Sequence, residues 1–251
     1  MKVVINPKYI FLRDFVCSLP TYFDQLTEYE LLHDGRNRIV KYDVAGYKLV
    51  IKSYGKPSLV NRFVYGRFRK SKAMRAYRNA QILSSLGVGT PEAIAVVEAR
   101  KNGLLERSYF ISLCSEFTPL PSIAPYCYKD FCIMLDQLAR FIIHIHDLGI
   151  IHNDLNPSNI LYRKGQDNHY EFELIDNNRM RFKKKLTMQD RLNDLRHFSS
   201  DDMPYLCMLH RYVSLIGKTD SEMVELKGVI ARSKLLMLQK IKERAKCIIK
   251  Y

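Results

Sequence analysis

Four polar residues stand out in this sequence for the chemistry their types and spacing allow: Lys52, Asp154, Asn159 and Asp176. Three of them lie in two short polar motifs, His152-Asn153-Asp154-Leu155-Asn156-Pro157-Ser158-Asn159 and Leu174-Ile175-Asp176-Asn177-Asn178. Between the motifs, Ile160-Leu161-Tyr162 and the alternating Tyr170-Glu171-Phe172-Glu173-Leu174 flank a turn at Lys164-Gly165-Gln166-Asp167-Asn168, the pattern of a β-hairpin. A hairpin returns the chain on itself, so Asp154, Asn159 and Asp176 are expected at one end of it. Two carboxylates and a carboxamide make a hard-oxygen set suited to magnesium, which takes a few protein oxygens and completes its shell with water and phosphate. With Lys52 as a phosphate partner, the set has the parts that phosphoryl transfer needs, since that chemistry asks a protein mainly for positioning and charge neutralisation.

The elements that must position these residues can be read from periodicity. Ile39–Val44, the turn Ala45-Gly46 and Tyr47–Lys52 form a second hairpin signature. Alternation puts Lys48, Val50 and Lys52 on one face of its second strand and Tyr47, Leu49 and Ile51 on the other, within a strand-like stretch running from Gln25 to Tyr54. From Asn61 to Ala80 the chain carries Arg62, Arg67, Arg69, Lys70, Lys72, Arg75 and Arg78 and no acidic residue. Seven like charges without a counter-charge repel one another, so an anion-binding role stands level with a merely solvated face. Ala73, Tyr77, Ala80 and Leu83 recur at helical spacing in and after this segment, and Gly87 and Pro91 stop the helix. Strands are expected at Ala93–Glu98 and Tyr109–Leu113, then a loop at Thr118-Pro119-Leu120-Pro121. An amphipathic helix follows through Phe131, Leu138, Ile142 and Ile145 to Gly149, and Leu186–Tyr251 reads as helical.

The chain has 251 residues, 47% of them hydrophobic, with 40 Lys plus Arg against 26 Asp plus Glu and a net charge of +14. That length and apolar content support a folded core and exclude a disordered chain or a small disulfide scaffold. The positive excess points to an anionic partner without choosing among nucleotide, nucleic acid, phospholipid surface and phosphorylated glycan. Six cysteines without a CxxC pair, and the absence of anything resembling a secretory signal or an apolar run of membrane-spanning length, predict reduced thiols and a cytoplasmic protein. In the last segment, Leu226–Tyr251, eight Lys and Arg face a single acid, Glu243, beside an apolar stripe at Leu235, Leu238, Ile241 and Ile248. A basic helix at an anionic membrane surface and a helix packed on the fold are equally compatible with it.

The motifs resemble the protein-kinase-like superfamily: HNDLNPSN stands where those enzymes have H-R-D-x-x-x-x-N, with the same five-residue step from Asp to Asn, and LIDNN stands where they have D-F-G. The strand ending V-I-K, the segment FRKSKAMRAYRNAQILSSLGVGTPEAIA and the ID-x-N-R sequence look closest to the lipopolysaccharide kinase family, the Kdo and heptose kinases. The resemblance covers roughly Asn37 to Arg181. It implies a single two-lobed, kinase-like α+β domain: an antiparallel N-terminal sheet with its helix over residues 1–113, and a reduced helical C-terminal lobe over 114–251. It also implies ATP and Mg2+ as cofactors and transfer to a hydroxyl of a lipopolysaccharide inner-core sugar at the cytoplasmic face of the inner membrane, with no nucleic acid and no obligate protein partner.

Roles follow residue by residue from that resemblance. Asp154 would accept or orient the proton of the attacking hydroxyl, and Asn156 would line the catalytic loop where protein kinases use Lys. Asn159 and Asp176 would hold magnesium, Lys52 would contact the α and β phosphates, and Arg67, Arg69, Lys70 and Lys72 would meet the anionic acceptor. The sequence departs from the kinase pattern as well. Asn79 stands where the Glu that pairs with the strand Lys is usual, His33-Asp34-Gly35-Arg36-Asn37 replaces a glycine-rich loop, and no A-P-E follows Asp176. Only 75 residues follow Asp176, which argues against protein substrates. Competing readings are a small-molecule kinase of aminoglycoside or choline type, a catalytically weak kinase relative that binds nucleotide or nucleic acid, and a RIO-type kinase. His144 and His146, two apart on a helix, are expected on different sides of it, and His152 as a buried loop hydrogen-bonder. Cys127 and Cys132 lack the second pair of a zinc site.

Overall fold

Lys2–Ile5, whose sequence suggests only that it cannot span a membrane, forms the first strand (β1) of a six-stranded antiparallel sheet in the computed structural model. The structure describes residues 1–58, 69–120, 128–199, 201–217 and 220–249, with side chains at all of these except 128–131 and 244–249. The other strands of the sheet are β2 (Glu30–His33), β3 (Asn37–Val44), β4 (Tyr47–Tyr54), β5 (Ala93–Lys101) and β6 (Leu104–Leu113), in the order β1-β5-β6-β4-β3-β2. The strand-like stretch thus begins at Glu30 rather than Gln25, and β5 and β6 run further than the apolar alternation of their ends indicates. Ala45 and Gly46, both at positive φ, make the two-residue turn that matches the twist of β3 and β4.

The chain divides into two compact units, Met1–Glu116 with Leu174–Asn178, and Phe117–Glu173 with Arg179–Tyr251. In the first, alternation gives the sheet two apolar faces. Leu49, Ile51, Val97 and Ile111 lie in one cluster with Leu12, Val16, Leu19 and Phe23, which come from the helix α1 (Arg13–Tyr22) and its flanks. Tyr54, Val96 and Ala93 lie in a second cluster with Ala73, Met74, Tyr77 and Ala80 of α2 (Lys72–Ser85). Ser71 caps α2 by accepting the Met74 N–H at 3.1 Å, and Gly87 at φ 72 takes the chain away from its end.

The second unit contains α3 (Tyr128–Asp147), α4 (Met188–Leu195), α5 (Asp202–Ile216) and α6 (Ser221–Ile249), with five short strands. These are β7 (Thr118–Pro119), β8 (Ile150–Ile151), β9 (Ile160–Lys164), β10 (Tyr170–Leu174) and β11 (Arg181–Phe182). The sequence places Thr118 and Pro119 in a loop. They pair instead with Tyr162 and Leu161 of β9, Pro at an edge where its missing N–H is tolerated, while Pro121 lies outside the described residues. Leu138, Ala139, Ile142 and Ile145 of α3 are fully buried, and the helix packs on α5. The described cysteines Cys17, Cys114, Cys132 and Cys207 are free thiols; Cys127 and the side chain of Cys247 lie outside the described part.

Gly149 joins α3 to β8 at φ 77, and a Cβ built on it would lie 1.8 Å from the Lys183 carbonyl oxygen; its own carbonyl accepts the Lys183 N–H at 2.9 Å. This close approach brings β11 onto β8, immediately ahead of the polar motif at 152–159. Gly149→Ala is expected to cost about 2–5 kcal/mol, from left-handed backbone strain plus the clash. Chemical denaturation checks it, and an unchanged midpoint would remove the close approach as a constraint.

Candidate active site

Lys52 and Asp176 are 124 positions apart in sequence, yet in the first unit the Lys52 Nζ lies 2.6 Å from Asp176 Oδ1. Lys52 projects from β4, and the pair is largely sheltered, with side-chain exposures of 12% and 30%. Asp176 sits at φ 52, a left-handed conformation that Asp tolerates better than most residues, and its Oδ1 also accepts Asn178 Nδ2 at 2.5 Å. Three more bonds hold the 174–178 segment in place. Leu174 donates its N–H to the Gly89 carbonyl at 2.9 Å, the Thr90 hydroxyl donates to the Leu174 carbonyl at 2.9 Å, and Asn79 Nδ2 of α2 donates to the Asn177 carbonyl at 2.7 Å. Asn79, at the position where kinases usually place the Glu that pairs with the strand Lys, secures the backbone next to Asp176 with its amide, and Asp176 supplies a carboxylate for Lys52.

The phenol ring of Tyr54, two residues beyond Lys52 on the same strand face, lies 5.5 Å from the Lys52 Nζ and 5.9 Å from the Lys72 Nζ. Burial pushes the Tyr54 hydroxyl far above the usual phenol range, and the Asp176 charge adds to the shift. Of the basic residues expected to meet an acceptor, Arg69 and Lys70 are exposed just before α2, and Lys72 is its first residue; Arg67 lies outside the described residues.

In the second unit the loop after β8 presents Asp154 with its side chain 26% exposed. Its backbone is fixed from several sides. The Asp194 carboxylate of α4 accepts the N–H of His152 at 2.8 Å and of Asn153 at 2.6 Å. The Asn156 N–H and Asn159 Nδ2 each donate to the Asp154 carbonyl at 2.9 Å, and fully buried Leu155 anchors the turn. The carboxylate itself is met by Asn156 Nδ2 at 3.3 Å and by Arg179 Nη1 at 3.1 Å. Asn153, at φ 61, donates Nδ2 to the Arg179 carbonyl at 3.0 Å, so the loop also positions that arginine. Lys52 and Asp176 are therefore brought together in one unit, and Asp154, Asn156 and Asn159 in the other.

Sequence reasoning gave no role to Arg179 or Asp194. Asp194 is 1% exposed and also lies 3.3 Å from His146 Nε2, whose Nδ1 is 2.6 Å from the Tyr212 hydroxyl. His146 is thus a fully buried part of a polar network, and His152 is buried as expected. Desolvation works to raise the Asp194 carboxyl, but the His146 contact and the backbone N–H groups outweigh it and hold the group below the usual carboxylate range. His197 shifts down, first through burial and then through the charge of neighbouring Arg196. Neutral in the fold, it takes up its proton in the unfolded chain first, so stability is expected to fall as pH drops from about 6.5 toward the lower folded value. In His197→Gln this part of the slope disappears; equal slopes in both proteins, measured by denaturation between pH 5 and pH 7, would contradict the assignment.

Taken separately, Asp176 offers a carboxylate and Asn159 a carboxamide oxygen whose amide nitrogen is committed elsewhere, both hard donors of the kind magnesium takes, and Lys52 offers an ammonium of the kind phosphate takes. Among the described residues no three His, Cys, Asp or Glu side chains gather as a metal cage, and no helix is long and apolar enough to cross a membrane.

Comparison with known proteins gives the fold and family. The structure of WaaP in complex with acyl carrier protein matches with a TM-score of 0.61 and 15% identity over 94% of this chain and 99% of that one. An aminoglycoside-3'-phosphotransferase of type VIII matches with a TM-score of 0.52 and 12% identity over 87% and 98%. The Rio2 kinase-ADP/Mg2+-phosphoaspartate complex from Chaetomium thermophilum matches with 0.50 and 15% over 93% and 77%. Among curated sequences, mitogen-activated protein kinase pmk-2 of Caenorhabditis elegans is 26% identical over 57% of this chain, and human serine/threonine-protein kinase DCLK3 is 34% identical over 19%. The matches span only 33% and 7% of those proteins. The model of the Lipopolysaccharide kinase (Kdo/WaaP) family matches residues 41–224, a stretch that holds Lys52, Asp154, Asn159 and Asp176. The chain belongs to the lipopolysaccharide kinase (Kdo/WaaP) family and has a protein-kinase-like fold.

Proposed function

We propose that this kinase transfers the γ-phosphate of ATP to a hydroxyl of a lipopolysaccharide inner-core sugar, Kdo or heptose. The observation that carries the reading is the Lys52–Asp176 pair, a phosphate-seeking cation and a metal-seeking carboxylate in direct contact. Lys52 would bind the α and β phosphates, and Asp176 and Asn159 would hold magnesium, which when bound would supply neutralisation of charge on the transferred phosphate. Asp154 orients the acceptor hydroxyl and takes its proton. Asn156 and Arg179 fix the direction of that carboxylate, and Asp194 fixes the loop that bears it. The net charge of +14 favours an anionic acceptor over the cationic one of an aminoglycoside-type enzyme.

The enzyme works, on this reading, at the cytoplasmic face of the inner membrane as a peripheral protein. The outer side of α6 supports the placement: Met223, Leu226, Ile230, Met237 and Ile241 are 43–65% exposed and fall within one narrow helical sector, with Lys227, Lys234 and Lys240 on its flanks. This line replaces the stripe expected from the sequence, since Leu235 is partly buried and the Ile248 side chain lies outside the described part.

The test is transfer of label from γ-labelled magnesium ATP into an envelope extract, afterwards split into lipid, soluble and protein fractions. Label in the lipid fraction supports the reading. Label confined to the soluble or protein fraction overturns the acceptor class, and nucleotide binding without label anywhere, in an extract that contains lipopolysaccharide precursors, overturns the activity. Vesicles containing anionic lipid should co-sediment the protein; no binding would overturn the peripheral placement.

A further inference from the structure

We infer that the hollow at the end of strands β4 and β6 in the first unit is an oxyanion-binding subsite formed by Arg36, Tyr54 and Lys72, taking one phosphate or carboxylate group of the acceptor. The inference rests on the transfer reading for the identity of the ligand, but the subsite can be tested without turnover.

The hollow is lined by Arg36 from the β2–β3 turn, Tyr54 and Gly55 from the end of β4, Pro57, Lys72 from the start of α2, and Leu105 and Ser108 of β6. Tyr54 is 3% exposed, and its hydroxyl has no hydrogen-bond partner among the described residues. A buried hydroxyl left unpaired is costly and rare, so its presence calls for a partner that the described residues do not supply. The phenol remains a donor through the working pH range, because burial strongly disfavours its anion.

Among the described residues, two cationic side chains line the same hollow and no acidic residue does. A cation is therefore disfavoured there, and the combination of a point charge, a planar guanidinium and a neutral O–H donor suits an oxyanion. Gly55 is part of the construction. A Cβ on it would lie 2.7 Å from the Arg36 carbonyl oxygen, so the missing side chain lets the β2–β3 turn settle against the end of β4 and bring Arg36 to the hollow. The Lys52 ammonium, 5.5 Å from the centre of the Tyr54 ring, is already paired with Asp176 and is not among the residues that line the hollow. Tyr54 is two residues further along the strand, roughly 6.6 Å. That offset separates a subsite for the acceptor from the residues assigned to ATP.

The experiment titrates inorganic phosphate, and separately acetate, into the full chain with and without a saturating non-hydrolysable magnesium ATP analogue, for wild type, Tyr54→Phe and Lys72→Gln. Phosphate is expected to bind the wild type in the presence of the analogue and to bind each variant about tenfold more weakly, the loss expected for one bond to a charged group. Tyr54→Phe should keep or raise the melting temperature, because it removes an unpaired buried hydroxyl. Weaker binding in a protein that is no less stable is a signature a packing role does not give. Binding of acetate in preference to phosphate would also support the subsite and assign it to a carboxylate. No binding of either anion, equal binding in all three proteins, or displacement by the ATP analogue would overturn the proposal. None of these results depends on Asp154, so the subsite and the transfer reading can fail separately.

Discussion

Asp154→Asn is expected to bind magnesium nucleotide as the wild type does and to transfer phosphate about 10²–10⁴-fold more slowly, the range a positioned general base contributes. The substitution preserves shape. Its carbonyl oxygen can still accept from Arg179 and Asn156, and the bonds that fix the loop run to the backbone of residues 152–154, which the change leaves intact. What disappears is the negative charge and the capacity to take a proton. Lys52 and Asp176, assigned to the nucleotide, are untouched. Label transfer and a nucleotide titration on the same preparation check the two halves of the statement. Turnover within tenfold of wild type would remove Asp154 as the base, and a parallel loss of nucleotide affinity would recast it as a charge partner of the phosphates.

How far such a site can be read from sequence depends on how local its parts are. Asp154 and Asn159 belong to one loop, and their five-residue step is a local fact that survives folding intact: the Asn159 amide reaches the Asp154 carbonyl. The Lys52–Asp176 contact is joined by no local rule, and only the chemistry of the two residue types and the resemblance to kinases suggest that both serve one nucleotide. Asn79 shows the opposite case. Its position on α2 invited a pairing with Lys52, but a carboxamide has no charge to hold an ammonium against the Asp176 carboxylate, and its N–H groups found a backbone carbonyl instead. The first helix has a sequence signature of its own. Leu12, Val16, Leu19 and Phe23 repeat at helical spacing and are all buried, yet their segment, interrupted by polar residues further upstream, suggested only that it was not a signal peptide. Thr118 and Pro119 had composition against them, since a two-residue edge strand leaves no periodicity to detect.

Asp194 was the least legible part of the site, because its partners are mostly backbone N–H groups, which carry no sequence identity. It is also where a single change has the largest expected effect on stability. Asp194→Ala removes the acceptor for two N–H groups and for the His146 ring in a region closed to water, and breaking a buried pair of this kind costs about 3–5 kcal/mol. The carboxyl titrates below its ordinary range, so its contribution is complete above the unfolded value of 3.8 and is lost as pH falls through the folded value. The difference in stability between wild type and variant should therefore be flat near neutrality and shrink in acid. Asp194→Asn, which keeps one acceptor oxygen, should lose less, about 1–3 kcal/mol. Because the loop that bears Asp154 hangs from this carboxylate, the Asn variant, still folded at neutral pH, should also transfer phosphate more slowly while binding nucleotide normally. Denaturation across pH together with single-turnover transfer by Asp194→Asn decides the matter: unchanged stability in Asp194→Ala would mean the N–H groups find other partners, and normal turnover in Asp194→Asn would mean the loop holds Asp154 in position without it.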